Sequence, residues 1–360
     1  MELAINPSKI ISPLCYSVLR LEPYTNCAYS CLYCYARWYR GGRIKPRPRA
    51  IGMFAKVAKK LDLRIPFRLS TLSDPLQDIE ENARVSYKLM KIAMDNGIPV
   101  ILSTKSDRIA KNPWKSLIEE MAKDGLIVVQ VSVSSLDRNE LEHRAPPPQS
   151  RIKALENIDA PKLLRLQPLI PNYSFADAEE FVERVKDVAD QITTEPLRIE
   201  RGEIDFYGRF WNRWSHYSFE GELLKADCYE ILESLSSACR KYGLDFGLCK
   251  EGYFHLETAN CCGLHMIECE LRPTLREVYR LLLERREIHV DELKFEGYLF
   301  GERLNELPRA IRKALRFHEK LFLKCLKDNS CLSHLTPLIR FEDGKLTLSG
   351  FKYQSNQTDD

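Results

Sequence analysis

An unbroken apolar run, Leu126-Ile-Val-Val-Gln-Val-Ser-Val133, limits what this chain can fold into. A strand with almost no polar alternation must be covered on both faces, which points to a parallel sheet packed by helices. Leu19 to Glu22, Phe67 to Ser70, Pro99 to Ser103 and Leu163 to Leu169 read as companion strands. Helical patterns separate them. Residues 80–96 place Val85, Leu89, Ile92 and Ala93 at helix spacing and close on Asn96-Gly97. Residues 50–61, 114–123, 150–157 and 176–191 read as further helices. Strands alternating with helices give βαβ units. Polar residues gather at strand ends, among them Ser73, Asp74, Lys105, Ser132, Ser134 and Gln167, where barrel-type α/β enzymes place their chemistry. The expected fold class is α/β: an open, partial (β/α)6 TIM-type barrel over residues 1–200, then a mostly helical, cysteine-rich extension over 201–360. In the extension, 227–242, 273–285 and 306–327 read as helices, 244–248 as a last strand, and 338–348 as a hairpin turning at Asp343-Gly344. The tail from Gln354 reads as disordered.

The 360 residues contain no apolar run long enough to span a bilayer, and no basic, then apolar leader opens the chain. A cytoplasmic protein is expected, without membrane contact. In that compartment twelve cysteines favour metal binding over disulfides. Three of them, Cys27, Cys31 and Cys34, fall in a C-x3-C-x2-C loop after the first strand. Thiolates at this density suit iron–sulfur clusters and zinc. The odd count favours a 4Fe–4S cluster with one iron left open, since structural zinc takes four protein ligands. A zinc knuckle lacking its fourth ligand, or buried structural thiols, are the alternatives.

The loop, with Tyr33 before its last cysteine, resembles the signature of radical S-adenosylmethionine (SAM) enzymes. The resemblance covers residues 16–175 and narrows to the spore photoproduct lyase-like group. It is carried by Pro23 to Arg37, by Ser70-Thr-Leu-Ser-Asp-Pro75 with Glu80, by Leu102-Ser-Thr-Lys-Ser-Asp107, and by Gln130 to Ser134 with Glu142, Pro146 and Arg151. It implies that Cys27, Cys31 and Cys34 ligate the cluster, and that the Tyr33 backbone meets the adenine of SAM. Lys105 would pair with the SAM carboxylate, Ser132 would hydrogen-bond its methionine part or ribose, and Ser73 and Asp74 would line the cleft. It also implies a one-electron reductant such as ferredoxin or flavodoxin. Reductive SAM cleavage would yield a 5′-deoxyadenosyl radical, in an enzyme of lyase or transferase type. Photoproduct lyases carry a hydrogen-donating cysteine two residues before the Ser-Asp pair. Thr71 stands there instead, and its O–H bond is too strong for that role. Thymine-dimer reversal by that route is therefore not expected.

A second group, Cys249, Cys261, Cys262 and Cys269, with His255 and His265 nearby, suggests an auxiliary iron–sulfur or zinc site. Cys228, Cys239, Cys325 and Cys331 are further candidates. Adjacent Cys261 and Cys262 do not easily share one iron, so either, or Cys15, is a candidate catalytic thiol; buried packing is the plain alternative. No acid occurs between Glu22 and Asp62, a stretch holding Arg37, Arg40, Arg43, Lys45, Arg47, Arg49, Lys56, Lys59 and Lys60 beside Trp38 and Tyr39. Tyr207 to Tyr217 adds a second basic-aromatic segment. The first could track phosphates and stack bases, or be a solvated basic face near a negatively charged cofactor; the Trp and Arg residues of the second could stack a base or line a substrate pocket, or form a domain-interface core. The leading expectation is a radical SAM enzyme acting on nucleic acid, in DNA repair or RNA base modification. One acting on a small molecule or a protein side chain is the alternative, and a non-catalytic metal- or nucleic-acid-binding protein the third.

Overall fold

The computed structural model describes residues 12–38, 42–215, 217–220 and 223–352. Tyr39, Arg40 and the tail from Gln354 lie outside the described residues. Six strands follow in order: β1 (Leu19–Leu21), β2 (Phe67–Leu69), β3 (Val100–Thr104), β4 (Ile127–Val133), β5 (Lys162–Leu169) and β6 (Gln191–Pro196). A small antiparallel sheet, β7 (Arg198–Ile199), β8 (Tyr217–Glu220) and β9 (Leu223–Ala226), intervenes before β10 (Asp245–Leu248) joins β6. The large sheet runs β1-β2-β3-β4-β5-β6-β10 with every pair parallel. Among the described residues its first and last strands do not pair, so the barrel is open.

Helices α1 (Arg49–Ala58), α2 (Glu80–Ala83), α3 (Val85–Asp95), α4 (Trp114–Lys123), α5 (Pro148–Glu156) and α6 (Ala178–Glu183) lie between these strands. The helix expected over 80–96 is broken at Arg84, whose φ is 49°. The cause is Glu80: its buried carboxylate accepts the N–H groups of Ser86 (3.0 Å) and Tyr87 (2.8 Å), starting α3 afresh. The helix expected over 176–191 stops at Glu183, and β6 begins at Gln191. β6 carries no apolar run in the sequence because Gln191, Thr193 and Glu195 interrupt it; all three are buried.

The two faces of the sheet explain the pattern. Leu19, Leu21, Phe67, Leu69, Val100, Leu102, Val129, Val131 and Leu164 pack in the main core with the helices. Ile101, Val128 and Leu163 face the other way and pack with Tyr16, Cys261, Cys262 and Leu264. The loop around residues 260–267 thus plugs the interior. Gly263 permits it: a Cβ there would lie 2.6 Å from Leu163 and 2.9 Å from Val128.

Beyond the barrel, α7 (Ile204–Gly208) precedes β8, and α8 (Tyr229–Tyr242) precedes β10. Then come α9 (Leu275–Arg285), β11 (Glu287–His289), α10 (Arg309–Leu326), α11 (Asn329–Leu335), β12 (Ile339–Glu342) and β13 (Lys345–Leu348). The expected hairpin forms, with Asp343 and Gly344 both at positive φ (50° and 80°), as its two-residue turn requires. Cys325 and Cys331 form a disulfide between α10 and α11, correcting the reading of both as metal ligands and of the cysteines as free of disulfides. Among the described residues no helix is long and apolar enough to cross a membrane.

Candidate active site

The three-cysteine loop leaves the C-terminal end of β1 with all three thiols half-buried. Buried Gln77 clamps its backbone: the Ala28 N–H donates to Oε1 (2.8 Å) and Nε2 donates to the Asn26 carbonyl (2.9 Å). The Cys27 sulfur accepts the N–H of Asp74 (3.4 Å). Asp74 ties the neighbouring loop down, accepting from Thr104 Oγ1 (2.7 Å), the Lys105 N–H (2.6 Å) and the Leu76 N–H (2.9 Å). Burial raises its carboxyl above the usual range despite these hydrogen bonds.

Glu142, fully buried, joins this loop to the strand ends. It accepts the Tyr33 hydroxyl and an N–H of Arg151, and the Lys105 ammonium lies 3.4 Å away. Arg151 also donates to the Ser132 carbonyl (2.9 Å). The Lys105 nitrogen sits 5.8 Å from the centre of the Tyr33 ring. Burial pushes the Cys31 thiol up to about 12, with Lys105 opposing and Glu142, Cys34 and Cys27 adding to the rise. The residues implied by the resemblance (Cys27, Cys31, Cys34, Tyr33, Ser73, Asp74, Lys105 and Ser132) thus meet at one end of the barrel. Ser73 Oγ lies 3.0 Å from Ser70 Oγ.

Two further residues, not marked by any motif, support these loops. Gln77 is one. Glu22 is the other: it accepts from Ser70 Oγ (2.8 Å), Thr71 N (2.8 Å), Thr71 Oγ1 (2.7 Å) and Leu72 N (3.2 Å). The signal for Glu22 was present, as a single acid closing an apolar strand. Thr71 is held further by Arg20 (3.1 Å), and its carbonyl accepts from the Tyr35 hydroxyl (2.7 Å).

The second cysteine group gathers only in part. Cys261 and Cys262 sulfurs are 3.9 Å apart, and Cys249 interacts with Cys261. Arg68 donates to Cys262 Sγ (3.2 Å) and Arg165 to Cys249 Sγ (3.2 Å), while both guanidinium groups share Gln130 Oε1 (3.1 and 3.3 Å). Cys269 stands at the margin, its sulfur 3.8 Å from the Leu264 carbonyl. His255 pairs with Tyr229 and His265 with Asp245, while Cys228 and Cys239 are buried in the main core. Cys15 donates to the Ser17 carbonyl (3.1 Å), ahead of β1. Among the described residues no group of three or more His, Cys, Asp or Glu side chains could hold a single metal ion.

The aromatic segment divides. Tyr207, Trp211 and Trp214 are buried in the core, whereas Phe206 is exposed. The Arg209 guanidinium lies 4.2 Å from the Phe206 ring centre and 4.6 Å from that of Phe210. Arg138 stacks on Tyr173 at 5.2 Å. Arg138, Arg209 and Phe210 line an open groove of about 690 Å³ with Asp137, Asn139, Glu140 and Asn172. It adjoins the site: Leu141 accepts the N–H of Leu32 from the cysteine loop (3.0 Å).

The site is thus a three-thiol loop, a lysine and a buried carboxylate at the strand ends of a parallel open barrel. Residues 21–190 match the Radical SAM superfamily. Just under half of the chain is thus a radical SAM catalytic domain, a class of domain that uses a 4Fe–4S cluster and SAM. An uncharacterized protein of Methanocaldococcus jannaschii, MJ0683, is 24% identical over 161 residues, 43% of this chain and 58% of that protein. The match thus spans little more than half of the relative's length. Among solved structures, a spore photoproduct lyase mutant gives a TM-score of 0.45 at 13% identity, covering 62% of this chain and 73% of that one. SuiB of Streptococcus suis, bound to SAM, gives 0.41 at 14%, covering 64% and 50%. The donor set fits a cluster. A cubane spreads its cysteines over separate irons, so its thiols need not converge on one ion. The Asp74 N–H on Cys27 suits a sulfur carrying negative charge.

Proposed function

We propose that the chain binds a 4Fe–4S cluster on Cys27, Cys31 and Cys34 and acts on a nucleic acid. SAM would lie against Tyr33, Ser73, Asp74, Lys105 and Ser132. When bound, cluster and SAM together supply a 5′-deoxyadenosyl radical able to abstract hydrogen. The chain's own groups supply position and charge. Lys105 offers an ammonium for a carboxylate, and Glu142 fixes where that ammonium sits. Asp74 orients the backbone of Lys105.

The observation that supports a nucleic acid is the contact of Arg209 with the Phe206 and Phe210 rings, beside Arg138 on Tyr173, with Arg138, Arg209 and Phe210 lining the groove that adjoins the site. Flat rings and guanidinium planes accept bases without sequence preference. Of the two acids in the groove, Asp137 is already bound by Arg184 at 2.7 Å through both oxygens. The test is binding of a fluorescent single-stranded oligonucleotide, DNA and RNA in turn, across a salt series. Arg209→Ala with Phe210→Ala is expected to weaken binding about ten-fold, the scale of one lost stack. Weak binding that neither salt nor the double substitution changes would sink this reading. A small molecule or protein side chain would then be the substrate.

Among the thiols, Cys249 is our candidate hydrogen donor, ahead of Cys15, Cys261 and Cys262. It follows the C-terminal end of β10 and is half-buried, whereas Cys261 and Cys262, against which it packs, are buried in the plugged interior with Ile101, Val128 and Leu163. Cys249→Ala is expected to leave 5′-deoxyadenosine formation intact and stop product formation. Unchanged product yield would remove Cys249 from the mechanism.

A further inference from the structure

We propose that the exposed cations between residues 43 and 60 are the docking surface for a small, acidic electron-transfer protein. The inference rests on the radical SAM reading of the cysteine loop and identifies where that loop receives its electron.

Arg43, Lys45, Arg47, Arg49, Lys56, Lys59 and Lys60 are all exposed. No acid lies between Pro23 and Leu61 to neutralise them, and none of the seven forms an ion pair among the described residues. Their strap is laced onto the residues before Cys27. The Thr25 N–H donates to the Lys45 carbonyl (3.0 Å) and the Arg47 N–H to the Pro23 carbonyl (2.8 Å). Asn26 Nδ2 donates to the Gly42 carbonyl (3.0 Å) and Thr25 Oγ1 to the Arg43 carbonyl (2.9 Å). The positive surface is therefore continuous with the cluster loop and fixed to it by backbone contacts.

Helix α1 extends it. Ala50, Phe54 and Ala58 are buried, so Arg49, Met53 and Lys56 share the outer face, with Lys60 beyond. On α1 an apolar side chain, Met53 (38% exposed), sits among these charges. Apolar contacts within a charged rim are the make-up of a protein–protein interface. Met53 offers a base nothing flat to stack on, which favours an acidic protein over a nucleic acid here. Electron transfer falls steeply with distance, so the donor must dock against the loop that holds the cluster. Opposite charge steers that encounter. The step moves one electron: the donor is oxidised by one and the cluster reduced by one.

The test compares two donors on anaerobic, cluster-loaded protein. Photoreduced flavodoxin, a small acidic flavoprotein, needs the surface; dithionite does not. The variant K45E/R47E/K56E is expected to slow reduction by flavodoxin about ten-fold or more at low salt. It should also lose the salt dependence, while dithionite reduction and iron content stay as in the wild type. Binding of oxidised flavodoxin to cluster-free protein should weaken in parallel. An unchanged flavodoxin rate overturns the proposal. So does a variant that keeps that rate and loses oligonucleotide binding, which would give the surface to nucleic acid. If wild type itself holds no reducible iron, the cluster reading has failed and the proposal with it.

Discussion

Cys31→Ala is expected to yield a folded protein that holds no intact cluster and forms no 5′-deoxyadenosine with dithionite and SAM. The effect is all or none because a cluster held by three thiolates has no spare protein ligand among Cys27, Cys31 and Cys34. The fold should survive because the loop is not held by the cysteine side chain. Gln77 clamps its backbone at Ala28 and Asn26, the 42–47 strap pairs with residues 23–26, and the Leu32 N–H donates to Leu141. Cys31 itself is only half-buried. Its thiol, raised to about 12 by burial, is neutral in the metal-free chain, so truncation deletes no charge there. Iron and sulfide analysis with EPR measures the first outcome, and chromatography of the reaction mixture the second. Full iron content and undiminished SAM cleavage in the variant would remove Cys31 from the ligand set. Loss of cooperative unfolding would instead make the loop a folding element.

The barrel was legible because the core-facing residues of β1 to β5 are mostly apolar and β4 carries apolar Val128 on its other face too. Val129, Val131 and Val133 against Leu164 and Leu166 read as strands without reference to anything distant. β6 was not legible, because its inward residues bind other parts of the chain. Gln191 Nε2 donates to the Asn260 carbonyl (2.9 Å) and Thr193 Oγ1 to the Cys261 carbonyl (3.1 Å), groups nearly seventy residues away. The break at Arg84 follows from a carboxylate that also binds Tyr24 and Trp114. The cysteine triad was legible as local spacing. Gln77 and the role of Glu142 were not, since each acts on backbone or cations brought to it by the tertiary fold; Glu22 showed only as a single acid closing a strand.

Glu142→Ala is expected to destabilise the domain by about 3–5 kcal/mol, the cost of stranding buried charge. Side chains of Glu142 and Arg151 are both fully buried, so solvent screens neither. Removing the carboxylate leaves Arg151 and Lys105 facing each other's charge, and leaves the Tyr33 hydroxyl without its acceptor. Glu142→Gln keeps the shape and a hydrogen-bond acceptor, so its loss should be smaller, while SAM affinity still falls because Lys105 is no longer pinned. Burial alone would raise the Glu142 carboxyl; the charges of Lys105 and Arg151, with hydrogen bonds from Tyr33 and Arg151, more than reverse this and hold it below its ordinary value. The stabilisation is therefore complete above the unfolded carboxyl value, about 4.3, and is lost as pH falls through the lower folded value. Glu195, which burial would raise but Lys250, Arg198 and Arg165 hold down to about 2, loses its own contribution near that pH in wild type and variant alike. Urea unfolding from pH 7 to pH 3 should thus show the gap between wild type and Glu142→Gln narrowing only below about pH 4, at the acid end of the carboxyl range. A gap independent of pH would mean that Glu142 acts by packing and that its charge does not hold Lys105 in place.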